Sequence, residues 1–261
     1  MDLNLNGKVA LVVASSQGLG RAIAEELVKE GANVMITSRD REKLQIVKQE
    51  IEQLGSGKVT YIKTDITNPE EIEQLIKATN EQFGKLDILI NNAGGPPAGS
   101  FDSFADSDWQ QAFELNLLSY IRMIKHALPL LRKQGGKIVN IASSSIKEPI
   151  PGLILSNTFR TAIVGLSKSL AQELAADHIL VNTVAPGRIA TDRITYLDEV
   201  NAKKQGITRV ELEQKVKTTI PLGRYGTPEE FAKVVAFLAS DGNTYMTGST
   251  FLVDGGMVKA I

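Results

Sequence analysis

Seven short apolar runs alternate with longer segments of helical period along the 261-residue chain, and this alternation restricts the fold more than any other feature. The runs are KVALVVA (ending at Ala14), NVMIT, KVTYIKTD, LDILINNAG, GKIVNIASSS, ILVNTVAPG and STFLVDGG. Each is rich in β-branched residues and apolar on both faces, as a strand covered on both sides must be. After the first run, Leu19, Ile23, Leu27 and Val28 recur at helical spacing and Gly31 closes the segment. A charged helix is expected over 41–54 and a long one over about 107–131. Asn68-Pro69 opens another, with Glu70 and Glu71 in its first turn. Strands alternating with helices in this way predict an α/β protein. Its sheet is doubly wound, Rossmann-like and mostly parallel, with seven strands and helices on both faces. No linker, repeat or low-complexity tract divides the chain, so a single domain over 1–261 is expected.

Composition narrows the function. Net charge is −1 and no basic block exceeds three residues, so nucleic acid is not an expected partner. The chain has no cysteine, which removes disulfides, thiolate catalysis and cysteine–zinc sites. His126 and His178 have no metal-ligand spacing. No apolar run approaches a membrane span and the N-terminus does not read as a signal peptide, so a cytoplasmic location without membrane is expected.

The first strand-to-helix turn reads VVASSQGLG. Gly18 and Gly20 open the helix, where unpaired backbone N–H groups and the helix dipole favour a diphosphate. At the end of the second strand, a dehydrogenase that prefers NAD carries an acid for the ribose 2′-hydroxyl. Here Ser38 and Arg39 stand instead, leaving room for a phosphate and a forked cation to pair with it. NADP is therefore expected, with NAD as the alternative. Asp40 falls beyond the strand end and reads as a cap of the following helix.

ASSQGLG, NNAG at 91–94, Asn116, IVNIASS at 138–144, VAPG at 184–187, PLGRYGTPEE at 221–230 and FLVDGG at 251–256 occur in order. Together they resemble the short-chain dehydrogenase/reductase family, above all its 3-oxoacyl-carrier-protein reductase and sugar or steroid dehydrogenase branches. The resemblance runs over essentially the whole chain. It implies a cofactor held by Ala14, Ser16, Gly18, Leu19 and Gly20 in the loop and by Ser38 and Arg39 at the ribose. Asp65 and Ile66 would flank the adenine, and Asn92, Ala93 and Gly94 would line the adenosine-ribose side. Pro186, Gly187, Ile189 and Thr191 would meet the nicotinamide. Ala14 replaces the first glycine of the family's loop; its methyl is compatible with a turn that is not left-handed, so an altered loop that still binds is expected.

The catalytic positions depart from the pattern. Family members use a tyrosine as proton donor or acceptor, a lysine four residues later, a serine on the substrate oxygen and an asparagine holding a water. Asn116 and Ser143 match the last two. The tyrosine position is Ser156 and the lysine position is Arg160. An aliphatic alcohol is a far weaker acid than a phenol, so Ser156 can relay a proton but hardly donate one. Arg160 stays charged, suiting it to anchor the cofactor or steady an oxyanion. Lys147 and Tyr196 are the nearest substitute acids, and both read more simply as surface or lid residues. The polar segment 192–218 is the expected substrate lid, with Tyr196 and Leu197 facing inward.

The leading expectation is an NADP(H)-dependent oxidoreductase interconverting a carbonyl and an alcohol, with the family's homotetrameric assembly. A non-catalytic NADP(H)-binding sensor or assembly protein is the second. A lyase or dehalogenase is the third: arginine for lysine is similar to the halohydrin dehalogenase branch, which nevertheless lacks the glycine loop.

Overall fold

The strands β1 (Val9–Val12), β2 (Asn33–Ser38), β3 (Val59–Lys63), β4 (Ile88–Asn91), β5 (Gly136–Ile141), β6 (Ile179–Pro186) and β7 (Thr250–Val253) lie in one sheet of order β3-β2-β1-β4-β5-β6-β7. Every pairing is parallel, in this computed structural model describing residues 2–260. The helices are α1 (Gly18–Lys29), α2 (Arg41–Ile51), α3 (Pro69–Phe83), α4 (Asp106–Phe113), α5 (Ser119–Leu131), α6 (Ile154–Glu173), α7 (Asp192–Gln205), α8 (Arg209–Lys217) and α9 (Pro228–Ala239).

The doubly apolar strands have a direct cause. Ala10 and Val12 of β1 face a core shared with Ile23, Leu27 and Phe231, whereas Val9 and Leu11 face a second core with Leu75, Met123 and Ile163. Burying both faces leaves no room for alternation with polar residues. The order in which strands are laid down reverses between β1 and β4, and there the carboxyl ends of the strands leave a crevice.

Local chemistry sets the helix limits. Asn68 accepts from the amides of Glu70 and Glu71, Pro69 occupies the first turn, and Gly84 ends α3 in the left-handed region at φ 76°. The helix expected over 41–54 stops at Ile51. Beyond it Gly55 and Gly57 press against the carbonyls of Val28 and Ala32, an approach that any Cβ would block. The long helix expected over 107–131 is interrupted by a π-turn, Glu114–Leu118, with Asn116 at its centre. Such bulges re-aim side chains within a helix, and residue Asn116 is wholly buried rather than turned to solvent.

The polar segment 192–218 folds into two helices, α7 and α8. Arg188 pairs with Asp198 of α7 at 2.6 Å, and the Tyr225 hydroxyl donates to the same carboxylate at 2.8 Å. Asp198 is 1% exposed, so this cluster fixes α7 to the segments following β6 and preceding α9.

Candidate active site

A groove of about 690 Å³ opens at the carboxyl edge of the sheet, running from Ser38 and Arg39 past the α1 N-terminus to Ser156, Arg160 and α7. A smaller cavity of about 310 Å³ lies around Lys8, Asp87 and Gln134, but Asp87 is already bonded to the Val9 amide, Gln134 and Lys85.

The glycine loop is a cradle. Gly18 is left-handed at φ 56°, and a Cβ on Gly20 would collide with the Ala14 carbonyl and come within 2.8 Å of Asn92 Nδ2. The Gln17 side chain does not cap α1, so its first amides face the groove without a side-chain acceptor. Ser15 ties the loop to β2, its amide donating to the Thr37 carbonyl at 2.9 Å and its hydroxyl accepting from the Thr37 amide at 3.0 Å. One expectation fails. Ala14 has φ 50°, squarely left-handed, so the loop keeps a glycine-like geometry and carries the strain instead of changing shape. Asn92 braces that strained residue by donating to its carbonyl at 3.1 Å. These amides, this absence of Cβ and this groove fit a dinucleotide diphosphate.

Ser38, Arg39, Asp65 and Ile66 all line one end of the groove. Asp40 caps α2, accepting from the Lys43 amide at 3.0 Å. Arg39 is exposed and forms no ion pair among the described residues. Burial favours the neutral form of Asp65, but bonds from the Thr67 amide and hydroxyl outweigh it, and with the Arg39 charge they hold the carboxyl below its usual range. Lys43, on the first turn of α2, lines the same end and was not singled out from the sequence. It stands four residues beyond Arg39, the one available signal.

At the other end, Ala93, Gly94, Pro186, Gly187, Ile189 and Thr191 line the groove as expected. Thr191 caps α7, its hydroxyl accepting from the Ile194 amide at 3.4 Å. Ser143, Ser156 and Arg160 come together on the same wall. Asn116 does not reach the lining. It lies behind the wall, Nδ2 donating to the Gly94 carbonyl at 2.7 Å while buried Oδ1 has no partner among the described residues.

Arg160 is 4% exposed and has no acidic partner among the described residues. Nη1 donates to the Ile141 carbonyl at 2.8 Å and to Tyr120 Oη at 2.9 Å, and Nη2 donates to the Ala93 carbonyl at 2.9 Å. The guanidinium thus bridges the ends of β4 and β5, leaving Nε–H and one Nη2–H for the groove. Tyr120 lay outside the expected set, since nothing in the sequence links α5 to position 160. Of the substitute acids considered, Lys147 is exposed and off the groove; Tyr196, though 51% exposed, and buried Leu197 both line it. Arg193 also lines it and was missed in the sequence, where it reads as one more lid charge.

The fold and the groove define a Rossmann-type dinucleotide-binding protein. A family profile described as enoyl-(acyl carrier protein) reductase matches residues 13–258. The 3-oxoacyl-[acyl-carrier-protein] reductase of Aquifex aeolicus is 36% identical over 258 residues, covering 98% of this chain and 100% of that protein. The crystal structure of L-sorbose reductase from Gluconobacter frateurii, complexed with NADPH and L-sorbose, superposes with a TM-score of 0.95 at 33% identity over 100% of both chains. YwfH, an NADPH-dependent reductase involved in bacilysin biosynthesis, gives 0.92 at 32% identity, covering 97% of this chain and 99% of that one. The chain belongs to the short-chain dehydrogenase/reductase family and is an NAD(P)-dependent oxidoreductase of that family. No helix among the described residues is long and apolar enough to cross a membrane.

Proposed function

We propose that the chain is an NADP(H)-dependent reductase interconverting a carbonyl and an alcohol with a rebuilt proton-transfer site. The observation that carries this is Arg160, a buried guanidinium without an acid partner among the described residues, at the end of the groove away from Ser38 and Arg39. Keeping an uncompensated cation inside a protein is costly, and it is retained where negative charge develops in the reaction.

Ser16, Gly18, Leu19 and Gly20 hold the diphosphate, and Arg39 with Ser38 and Lys43 the 2′-phosphate. Asp65, Ile66, Asn92, Ala93 and Gly94 flank the adenosine, and Pro186, Gly187, Ile189 and Thr191 orient the nicotinamide. Bound there, the nicotinamide supplies or accepts hydride. Ser143 donates to the substrate oxygen, Arg160 stabilises the oxyanion through its two remaining N–H groups, and Ser156 relays a proton. The unpartnered Oδ1 of Asn116 suits an acceptor role on that relay. The substrate is a small carbonyl or alcohol, and the assembly a homotetramer, measurable by light scattering. Phe101, 68% exposed and edge-on to Trp109, is compatible with a covered surface on that side.

The test is NADPH oxidation across a carbonyl panel with wild type and Arg160→Ala. Saturable turnover lost in the variant supports the proposal. Tight NADPH binding with no turnover on any substrate favours the second reading, a non-catalytic NADP(H)-binding protein, which the serine at position 156 motivates. A lyase or dehalogenase without cofactor is disfavoured by the preserved glycine cradle, and failure to bind NADPH would revive it.

A further inference from the structure

Arg193 is the third guanidinium lining the groove, beside Arg39 and Arg160, and nothing in the reductase reading uses it. It stands on the first turn of α7 and reaches across to the β4 loop, where Nη2 donates to the Pro96 carbonyl at 2.6 Å. The Tyr196 ring lies under it, with 5.7 Å from Cζ to the ring centroid. A Cβ on Gly95 would stand 3.0 Å from Nη2, so the glycine makes the room this guanidinium fills. Among the described residues Arg193 has no ion-pair partner; even Asp192, its neighbour in sequence, makes none with it. Four of its five N–H donors have no protein acceptor there, and the side chain lines the groove. A cation held this firmly, half-buried and without an acid, is preorganised for an anion that arrives with a ligand.

Its neighbours locate that anion. Arg193 lies close enough to Arg160 for the two charges to interact, at the end of the groove away from Arg39 and Lys43. The diphosphate has its own donors at the α1 N-terminus, so the cofactor does not require this one. Burial lowers the Arg193 pKa from its ordinary value, Tyr196 opposes that, and the Arg160 charge adds to it. A guanidinium remains charged under such a shift.

We propose that Arg193 is the specificity-determining seat for a carboxylate on the substrate, so that the enzyme acts on oxo acids and hydroxy acids in preference to their neutral esters. Resting on the reductase reading, this divides the work between two guanidiniums: Arg160 faces the reacting oxygen and Arg193 faces the acid group.

The experiment compares wild type, Arg193→Met and Arg193→Lys with acetoacetate, laevulinate and the methyl ester of each. It reads NADPH oxidation, and separately the thermal shift of the NADP⁺-loaded protein on adding each compound. For the acids, Arg193→Met is expected to raise KM by about 10- to 100-fold, the range of a lost charge-assisted bond. The esters should move by less than about threefold and NADPH affinity by no more, with partial rescue by Arg193→Lys, which keeps the charge but not the fork. An equal loss for acids and esters overturns the proposal, as does wild type showing no preference for the acids in either readout. Weakening of NADPH by about tenfold or more in Arg193→Met overturns it in favour of a cofactor-phosphate contact. An acid-dependent thermal shift that vanishes in Arg193→Met, without turnover on any compound, upholds the carboxylate seat while counting against the reductase reading.

Discussion

Arg160 Nη1 and Tyr120 Oη are 2.9 Å apart, inside the protein and behind the groove wall. A tyrosine does touch the residue at the family's lysine position, but it comes from α5 and points inward. Its hydroxyl donates to the Ile141 carbonyl at 2.9 Å. Burial drives the Tyr120 pKa up, and the Arg160 charge only partly opposes this. A phenol so placed is a structural donor, not an accessible acid.

Tyr120→Phe should therefore leave kcat within about threefold while costing about 1 kcal/mol of stability, the net worth of an ordinary hydrogen bond. Steady-state kinetics and urea unfolding of the same preparation measure both. A kcat loss of about a hundredfold with little change in stability would instead put the phenol in the proton path.

Ser156 lines the groove, is 8% exposed, and its hydroxyl makes no hydrogen bond to the described residues. If it relays a proton from solvent, Ser156→Ala should lower kcat by about tenfold, below the 10²–10⁴ typical of a dedicated general acid. NADPH affinity should not change. Loss of all activity with binding intact would make Ser156 the donor itself and refute the relay.

Ala14 at φ 50° is a non-glycine residue in the left-handed region. Ala14→Gly relieves about 1 kcal/mol of backbone strain, part of which the greater freedom of the unfolded chain offsets. A small rise in Tm with NADPH affinity within about threefold is the expected result. A lower Tm would show that packing of the methyl outweighs the strain.

The fold was legible because its signals are local or periodic: strands apolar on both faces, Asn68-Pro69 before α3, glycines at fixed offsets after β1. That Gly18, Ser38 and Arg39 would meet at one end of a groove was legible for the same reason, since they lie within one βαβ unit. The other end was not. Arg160 joins α6 to the ends of β4 and β5 and to Tyr120, forty positions away, and no sequence period records that meeting. Arg193 was hidden by its setting among lid charges that do face solvent. Ala14 misled because its φ is set by the glycine cradle around it, not by its own preference.

Arg39 follows β2 and faces the groove without an ion pair among the described residues. Arg39→Ala should weaken NADPH by about 10- to 100-fold, as expected for one charge-assisted phosphate contact, and leave NADH unchanged. Fluorescence titration with both cofactors decides it. Equal losses for the two would mean that Arg39 does not read the 2′-phosphate.

The attachment of α7 through Asp198 predicts an alkaline weakness. Burial raises the Tyr225 pKa from 10.0, the hydrogen bond and charge of Asp198 raise it further, and Arg188 opposes them. Folding therefore favours the protonated phenol. Its contribution is complete below the unfolded value of 10.0 and declines as pH rises from there through the folded value. Tyr225→Phe deletes one of two partners of a carboxylate that is 1% exposed and should cost about 1–3 kcal/mol at neutral pH. The variant should also lose less further stability than wild type when the pH passes 10.0, since the coupled group is gone. Because Asp198 sits on α7, the same change should raise the substrate KM more than it alters NADPH affinity. Denaturant unfolding across the alkaline range, with kinetics at neutral pH, checks the three together. Parallel alkaline curves for the two proteins would show that Tyr225 ionisation does not govern the attachment of α7.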